Sequence, residues 1–456
     1  MRSSHTAARV DAAFDDVNLV SQAGLVPVMR LAQRAGLGEA ADRLVRLPGS
    51  VGAHAGAKVG SIVAGMVAGA DSIEDLDVLR HGGLPRLFTG VRAPSTLGTF
   101  LRSFTWGHVR QVDALARHCV ASLAQLAPGF AATAGRTVLD LDSTIARVFG
   151  YAKQGAEYGY TRQRGLHPLL AVASTESTAP VIVGTRLRRG AAGSGKAAAG
   201  FLTEALSATR AAGASGEIVV RADSAFYSAA VIAACLRAEA RFSITTVLNP
   251  TIRAAIASIP ETAWIPIAYP QAIYDEQTRQ WISDAEVAET TYTAFNNRTT
   301  NMPVTARLIV RRVKDKNVDR QQSELFTAWR YHACFTNSNE DLITAEARHR
   351  GHAIVEQVIA DLKDSALAHL PSGKFTANAV WLTCAAIAHN LTRAAAALAS
   401  VFHAKARTGT IRRHLINVPA RIARSARRIL LHLPAHWRWQ HAFTTLFYAT
   451  HDPPAA

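Results

Sequence analysis

Cysteine is scarce in this chain. Cys119, Cys235, Cys334 and Cys384 are spread far apart over 456 residues with no CxxC pair. That signals neither a disulfide framework nor a zinc module, and it fits a reducing compartment. Acid is the second shortage: 34 Asp and Glu against 50 Lys and Arg leave a formal net charge of +16. A polyanion is therefore the expected partner, nucleic acid before an anionic membrane surface. Long apolar runs are missing too. The opening residues, MRSSHTAARVDAAFDD, carry no apolar core of a secretory signal. Val59–Ala70 is short and starts beside Lys58, and Ala379–Phe402 is interrupted by His389, Asn390 and Arg393. A spanning helix needs about 20 nearly uninterrupted apolar residues, so both read as buried helices, and a cytoplasmic protein without membrane contact is expected. Yet 49% of the residues are apolar, enough for real cores, which excludes a disordered polybasic chain. The length calls for two or three domains.

Residues 1–130 read as helical. Apolar positions recur at helical spacing through Leu25–Ala35, Ile73–Leu79 and Val109–Leu126, with Ser72 and Ser95 where N-caps belong. Within them, APSTLGTFLRSFTWGHVRQ (Ala93–Gln111) sets Arg102, His108 and Arg110 among apolar residues. Helix-turn-helix DNA-binding modules share that pattern with ordinary helical bundles. Near Arg136 the period becomes two: in TVLDLDST, Val138, Asp140 and Asp142 face one way, Leu139 and Leu141 the other. Strand-like runs at Leu169–Ala173 and Val181–Leu187 precede a helix, Lys196–Ala212. A short buried strand, Ile218–Ala222, then ends at Asp223, and a helix (Tyr227–Ala240) and a strand (Phe242–Val247) follow. This predicts a mixed α/β sheet with helices on its faces over residues 131–248. Residues 249–330, with Trp264, Trp281 and the run Ala306–Val313, read as a β-rich insertion. Tyr331–Asn337 and the long periodic helices Glu340–Asp364 and Phe375–Phe402 complete the α/β unit over 331–402, and 403–456 are expected as a basic helical tail.

Three carboxylates stand out by position. Asp142 and Asp223 each lie at the end of an apolar strand, and Glu356 lies mid-helix in HAIVEQVIADLK. Carboxylates just past buried strands sit at the sheet edge, where α/β folds place their sites. Hard divalent cations take oxygen ligands, and three converging carboxylates can hold two metal ions for an in-line phosphoryl displacement. His349, His352, Glu356 and Lys363 fall on one stripe of a helix. Such a stripe suits either a metal ligand beside phosphates or a solvated polar face.

Four segments in order carry a further signal: DLDST, KQGAEYGYTRQRGLHPLLA (Lys153–Ala171), VVRADSAFYS (Val219–Ser228) and HAIVEQVIADLK. Together they resemble bacterial insertion-sequence transposases of the IS1380 group, within the DDE superfamily, whose catalytic core is ribonuclease-H-like. The resemblance runs from about Ser72 through INVPARIARSARRILLHLPAHW. It implies a catalytic, metal-binding triad of Asp142, Asp223 and Glu356, with Mg²⁺ as the cofactor and Mn²⁺ as a substitute. Asp140, on the same strand face, is the rival for the first position. Related families place their aspartate directly before a small residue and a threonine, as in Asp142-Ser143-Thr144. The wider superfamily shows Tyr-x2-Arg-x3-Glu-x6-Lys. Glu356 and Lys363 match it, while His349 and His352 stand at the Tyr and Arg positions. The resemblance also implies an insertion whose Trp264 or Trp281 stacks on a flipped base or packs in a core. It implies terminal inverted repeats and target DNA as partners, a homodimer in the synaptic complex, and a bacterial, nucleoid-associated location.

Expected DNA contacts are His349, His352 and Lys363 beside the triad, and Lys153, Arg162, Arg164, Arg188 and Arg189 around the first strands. Arg412, Arg413, Arg427 and Arg428 belong to a stretch between Asp364 and Asp452 that holds no acidic residue, so its charge is free to displace counterions from a DNA backbone. Gly190–Lys196, GAAGSGK, matches GxxxxGK, but Ala197 stands where a phosphate-binding loop needs Ser or Thr; no nucleotide cofactor is expected. The competing function is a non-catalytic, sequence-specific DNA-binding protein, a repressor or decayed transposase. It shares the basic charge and differs only in the three carboxylates.

Overall fold

The computed structural model describes residues 10–130, 134–159, 161–270, 272–277, 279–296, 302–314, 329–425 and 428–451. The N-terminal region holds helices α1 (Leu25–Arg34), α2 (Leu37–Leu44), α3 (Ala55–Ala68), α4 (Pro94–Arg102) and α5 (Trp106–Leu126). Helix α3 is apolar almost all round and is buried accordingly; its one cation, Lys58, gives its ammonium to the Val51 and Ala53 carbonyls at 2.8 and 2.6 Å. The short turn between α4 and α5 ends in a capping box made by Thr105 and His108.

Next come the strands β1 (Thr137–Ser143), β2 (Arg164–Ser174), β3 (Val181–Arg189), β4 (Ile218–Ala222), β5 (Arg241–Thr245), β6 (Ala285–Ala294), β7 (Val304–Lys314) and β8 (Trp329–Thr336). They belong to one eleven-stranded mixed sheet in the order β3-β2-β1-β4-β5-β8-β7-β6. β1, β2 and β3 pair antiparallel. β4 and β5 run parallel to β1, which requires crossovers. Helices α6 (Ala198–Ala211) and α7 (Ala229–Arg237) lie in the β3–β4 and β4–β5 connections. Strand β2 is covered along nearly its whole length, which explains why its sequence is a continuous apolar run rather than an alternating one. The aromatic segment 249–330 contributes β6 and β7, which extend the same sheet through β8; on them sits a separate small cluster around Ile252, Leu308 and Val310.

Helices α8 (Leu342–Arg350), α9 (Ile354–Lys363), α10 (Phe375–Ala399) and α11 (Gln440–His451) follow. α10 is buried on almost every side and lies between α3, α5 and β3. A single apolar core therefore runs from α1 through α10 and the sheet to α11. No helix among the described residues is long and apolar enough to cross a membrane.

Two expectations differ from the structure. The segment 340–364 is not one helix: a 3₁₀ turn, Gly351–Ala353, separates α8 from α9. The Arg221 guanidinium donates to the Arg348 carbonyl at this break, and a Cβ on Gly351 would meet Arg221 Nη1 at 2.6 Å. The C-terminal tail is not all helix either. Ala420–Ser425 and Arg428–His432 form a hairpin, with Leu19–Val20 as a third strand. Ala420 and Ile422 are buried while Arg421 between them is exposed, a period of two that a count of basic residues does not register.

Candidate active site

The register of the parallel pair β1–β4 builds the site. Asp140 lies beside Arg221 and Leu141 beside Ala222. The next residues, Asp142 and Asp223, thus stand side by side where the two strands end. Neighbouring strands are about 4.8 Å apart. Both aspartates are half-buried. Asp223 Oδ1 accepts the Ala225 amide at 2.9 Å, which caps a short 3₁₀ turn and turns the chain away from the sheet.

Asp140 has a different environment. It is fully buried, and its two oxygens accept Arg221 Nε and Nη2, each at 2.8 Å. Oδ1 also meets His352 Nδ1 at 2.8 Å. Arg221 reaches on to the last turn of α8, and His352 sits in the turn that opens α9. This cluster ties the start of α9 to the strand face that carries Asp142. Glu356, one helical turn beyond His352, is exposed on α9.

The Asp142 carboxyl has its pKa pushed up to about 6. Burial is the main cause, the charges of Asp223 and Glu356 add to it, and the Ser143 amide and His352 oppose it. The charges of Asp223 and Glu356 thus both reach the Asp142 carboxyl. Lys363, at the far end of α9, is held below its ordinary pKa by burial, with the Asp142 charge acting in the opposite sense. As they stand, no three His, Cys, Asp or Glu side chains among the described residues are gathered tightly enough to hold a metal ion.

Over residues 2–451 the chain matches the family described as transposase DDE domain, group 1. The chain belongs to that family. Among curated proteins, none matches it. Membership makes it one of the transposase enzymes, which act on DNA and generally use divalent metal ions.

Of the cations this transposase was expected to offer to DNA, many are engaged by the protein itself. His349 receives or donates hydrogen bonds at both ring nitrogens, to Ser243 and Thr245 at 2.9 Å each, and burial first of all drives its pKa down to about 4. Lys153 donates to the Leu370 carbonyl. Arg164 holds the carbonyls of Gly150 and Tyr151, and Arg412 reaches the Val67 carbonyl at 3.3 Å. Arg189 is exposed and makes a long pair with Glu157 at 3.5 Å. Lys363, Arg162, Arg413 and Arg428 are exposed. Arg427 lies outside the described residues. In the α4–α5 pair, Arg110 is bound to Asp113 and Glu204, both at 2.7 Å. Trp264 and Trp329 cover the two sides of the Arg312 guanidinium at 4.2 and 4.4 Å, and Trp281 packs on Tyr274 at 5.0 Å.

Sequence reasoning missed the brace behind Asp142. Ser143 Oγ lies 2.9 Å from His167 Nε2 and 3.0 Å from Ser194 Oγ, while His167 Nδ1 meets the Ala192 carbonyl at 2.7 Å. Arg188, buried, donates to the Gly193 and Ser194 carbonyls at 3.2 and 2.5 Å. The glycine-rich turn is thereby pinned between the two aspartate-bearing strand ends. A Cβ on Gly195 would lie 2.5 Å from the Ala225 carbonyl, so the glycine serves this close approach. The signal was the glycine spacing itself, which resembled a phosphate loop because both uses need a backbone without side chains.

Proposed function

We propose that the protein is a DDE transposase that cuts DNA at the ends of its own element and joins the freed ends to target DNA, with Asp142, Asp223 and Glu356 as its catalytic carboxylates. The observation that carries this reading is the pairing of Asp142 with Asp223 at the ends of adjacent parallel strands, with the α9 helix of Glu356 tied to the same strand face through His352. The order β3-β2-β1-β4-β5, with its first three strands antiparallel and its last two parallel to β1, supports a ribonuclease-H-like core. Asp140 is not offered as a ligand, because its oxygens are occupied by Arg221 and His352.

The donor set fits Mg²⁺, or Mn²⁺ in its place. It consists of carboxylate oxygens only, and Asp142, whose pKa is raised chiefly by burial with the Asp223 and Glu356 charges adding to it, would be held ionised by a cation. When bound, the metal supplies Lewis-acid activation of the phosphodiester and of the attacking oxygen. The chain's own residues do the rest. Lys363 faces the scissile phosphate from the end of α9. The Asp140–Arg221–His352 cluster orients α9, and the Ser143–His167 brace fixes the strand end at Asp142. Hydrolysis of one strand frees a 3′-hydroxyl, and that hydroxyl attacks a phosphodiester of the target. The exposed Arg162, Arg189, Arg413 and Arg428 track the DNA backbone, and the N-terminal helices with the basic tail read the terminal inverted repeats. Two copies pair the two ends, because joining them requires synapsis.

The test is strand cleavage of DNA carrying the element ends with Mg²⁺, using Asp223→Ala as the control. Cleavage by the intact chain and none by the variant is expected. Specific binding of the ends without cleavage by the intact chain, with either metal, would sink the enzyme reading in favour of a non-catalytic DNA-binding protein.

A further inference from the structure

Away from the carboxylates, three rings from three separate segments lie nearly parallel. Phe402 and Trp439 have centroids 5.1 Å apart at an interplanar angle of 9°, and His414 lies 4.4 Å from Trp439 at 18°. The group is built in, because several contacts fix it. Ser400 caps the short helix that carries Phe402, the Trp437 indole N–H donates to the His414 carbonyl at 3.1 Å, and the fully buried His403 meets Trp439 edge-on at 4.9 Å. Yet Phe402 remains 54% exposed. A phenyl ring held flat by its neighbours and left open to water presents a π-face that nothing in the fold uses.

The charge around this face has one sign. The Arg438 guanidinium lies 5.1 Å from the Trp439 ring centre, and Arg413 adjoins His414 in the same turn. Neither arginine has a carboxylate partner among the described residues, and the sequence has no Asp or Glu between Asp364 and Asp452. An open aromatic face beside unneutralised arginines is the combination by which proteins hold unpaired nucleotides: the base stacks and the phosphate takes the cation. A second protein chain would find apolar contact here at the cost of burying uncompensated charge.

We propose that Phe402, with Trp439 behind it and His414 beside it at 6.3 Å, is a stacking shelf for an unpaired base of single-stranded DNA, whose phosphate is held by Arg438 or Arg413. This rests on the transposase reading, in which a DNA end is opened during cutting and joining.

The full-length chain is tested by fluorescence anisotropy on a labelled oligothymidine and on a duplex of equal length. Stacking of one base predicts that Phe402→Ala weakens oligothymidine binding by about 5- to 150-fold and leaves duplex binding within about twofold. Phe402→Leu, which keeps apolar bulk without a π-face, and Arg438→Gln, which spares the rings, show losses of the same sense and decide the matter if the alanine variant does not fold. Unchanged oligothymidine affinity in folded variants overturns the shelf. So does a shift from dimer to monomer with unchanged affinity, which would make the face a contact between copies. A wild-type chain that binds duplex but not oligothymidine overturns the shelf alone; one that binds neither overturns the transposase reading with it.

Discussion

Asp140 and Asp142 point the same way from one strand, two residues apart, and the structure assigns them opposite energetic roles that substitution can separate. Asp140→Ala removes the carboxylate that neutralises Arg221 through two 2.8 Å bonds and that holds His352 at 2.8 Å. Arg221 is only 5% exposed, so its charge would stay buried with little beyond the Arg348 carbonyl to satisfy it. Breaking a buried pair from one side costs about 3–5 kcal/mol, more than half the stability of an ordinary domain at the lower end of its range of about 5–15 kcal/mol. A double change, Asp140→Leu with Arg221→Met, removes both charges and recovers most of the loss. Asp142→Asn acts in the other direction. With its pKa at about 6 against an ordinary 3.8, the folded chain keeps a proton that the unfolded chain releases. The Asp142 contribution to wild-type stability therefore falls as pH rises from about 4 to about 6, and the neutral amide gains at most about 3 kcal/mol at pH 7. That gain vanishes below pH 4. The assay is urea denaturation of the metal-chelated protein, followed by tryptophan fluorescence at pH 7 and pH 4, alongside strand cleavage. An Asp140→Ala variant within about 1 kcal/mol of wild type, or an Asp142→Asn variant as unstable as Asp140→Ala, refutes this division of labour.

Gly351→Ala would press a methyl group to 2.6 Å from Arg221 Nη1 and is expected to cost about 1–3 kcal/mol. Gly38→Ala, a helical position with open space around it, gains up to about 1 kcal/mol. Thermal melting compares the two, and equal effects would refute the close approach. His349, His389 and His403 have folded pKa values of about 4, 3 and 4, each lowered chiefly by burial. The unfolded chain takes up protons below pH 6.5 that the folded chain refuses, so the share of stability these three rings hold is lost as pH falls from 6.5 towards 4, opposite in sign to the Asp142 contribution. An NMR titration of the folded chain in which these rings protonate near pH 6.5 contradicts their burial. Arg428, exposed at the start of the second hairpin strand, is read as a phosphate contact. Arg428→Gln should weaken DNA binding without regard to sequence and lower the slope of log affinity against log salt by about one; an unchanged slope removes it from the interface.

Much of the core was legible because its signals are local. Strand β1 was visible from alternation across Asp140 and Asp142, and β4 from five apolar-flanked residues ending at Asp223. The reading of a mixed sheet with helices on its faces then followed from the order of elements. What was not legible depends on partners far away in the chain. At residue 351 only the glycine hints at a helix break, because the Arg221 side chain that fills the space beside it comes from a strand 127 residues from Arg348. The choice between Asp140 and Asp142 was equally invisible in the alternation, since both share a face. The proposed choice of Asp142 rests on what occupies Asp140, a neighbour on β4 and a turn before α9.

The scarcity of acid misled in one respect. An excess of 16 positive charges suggests a surface broadly given over to DNA, and sequence clusters of arginine reinforce that picture. Yet Arg164, Arg188 and Arg412 each hold main-chain carbonyls, and Lys153 does the same. The guanidinium carries five donors in a rigid fork, so it can satisfy the carbonyls of an irregular turn without any acid nearby. An arginine spent in this way still counts towards net charge but presents little of it to a ligand. Charge counted along the sequence therefore overstates the DNA-facing surface. The cations proposed to meet DNA are those left exposed and without a carboxylate partner among the described residues: Lys363 near the proposed triad, Arg162 beside β2, Arg413 and Arg438 at the aromatic rings, and Arg428 on the hairpin. Neutralising Arg164 or Arg188 is therefore expected to lower stability before it changes the salt dependence of DNA binding, and neutralising Arg428 to do the reverse.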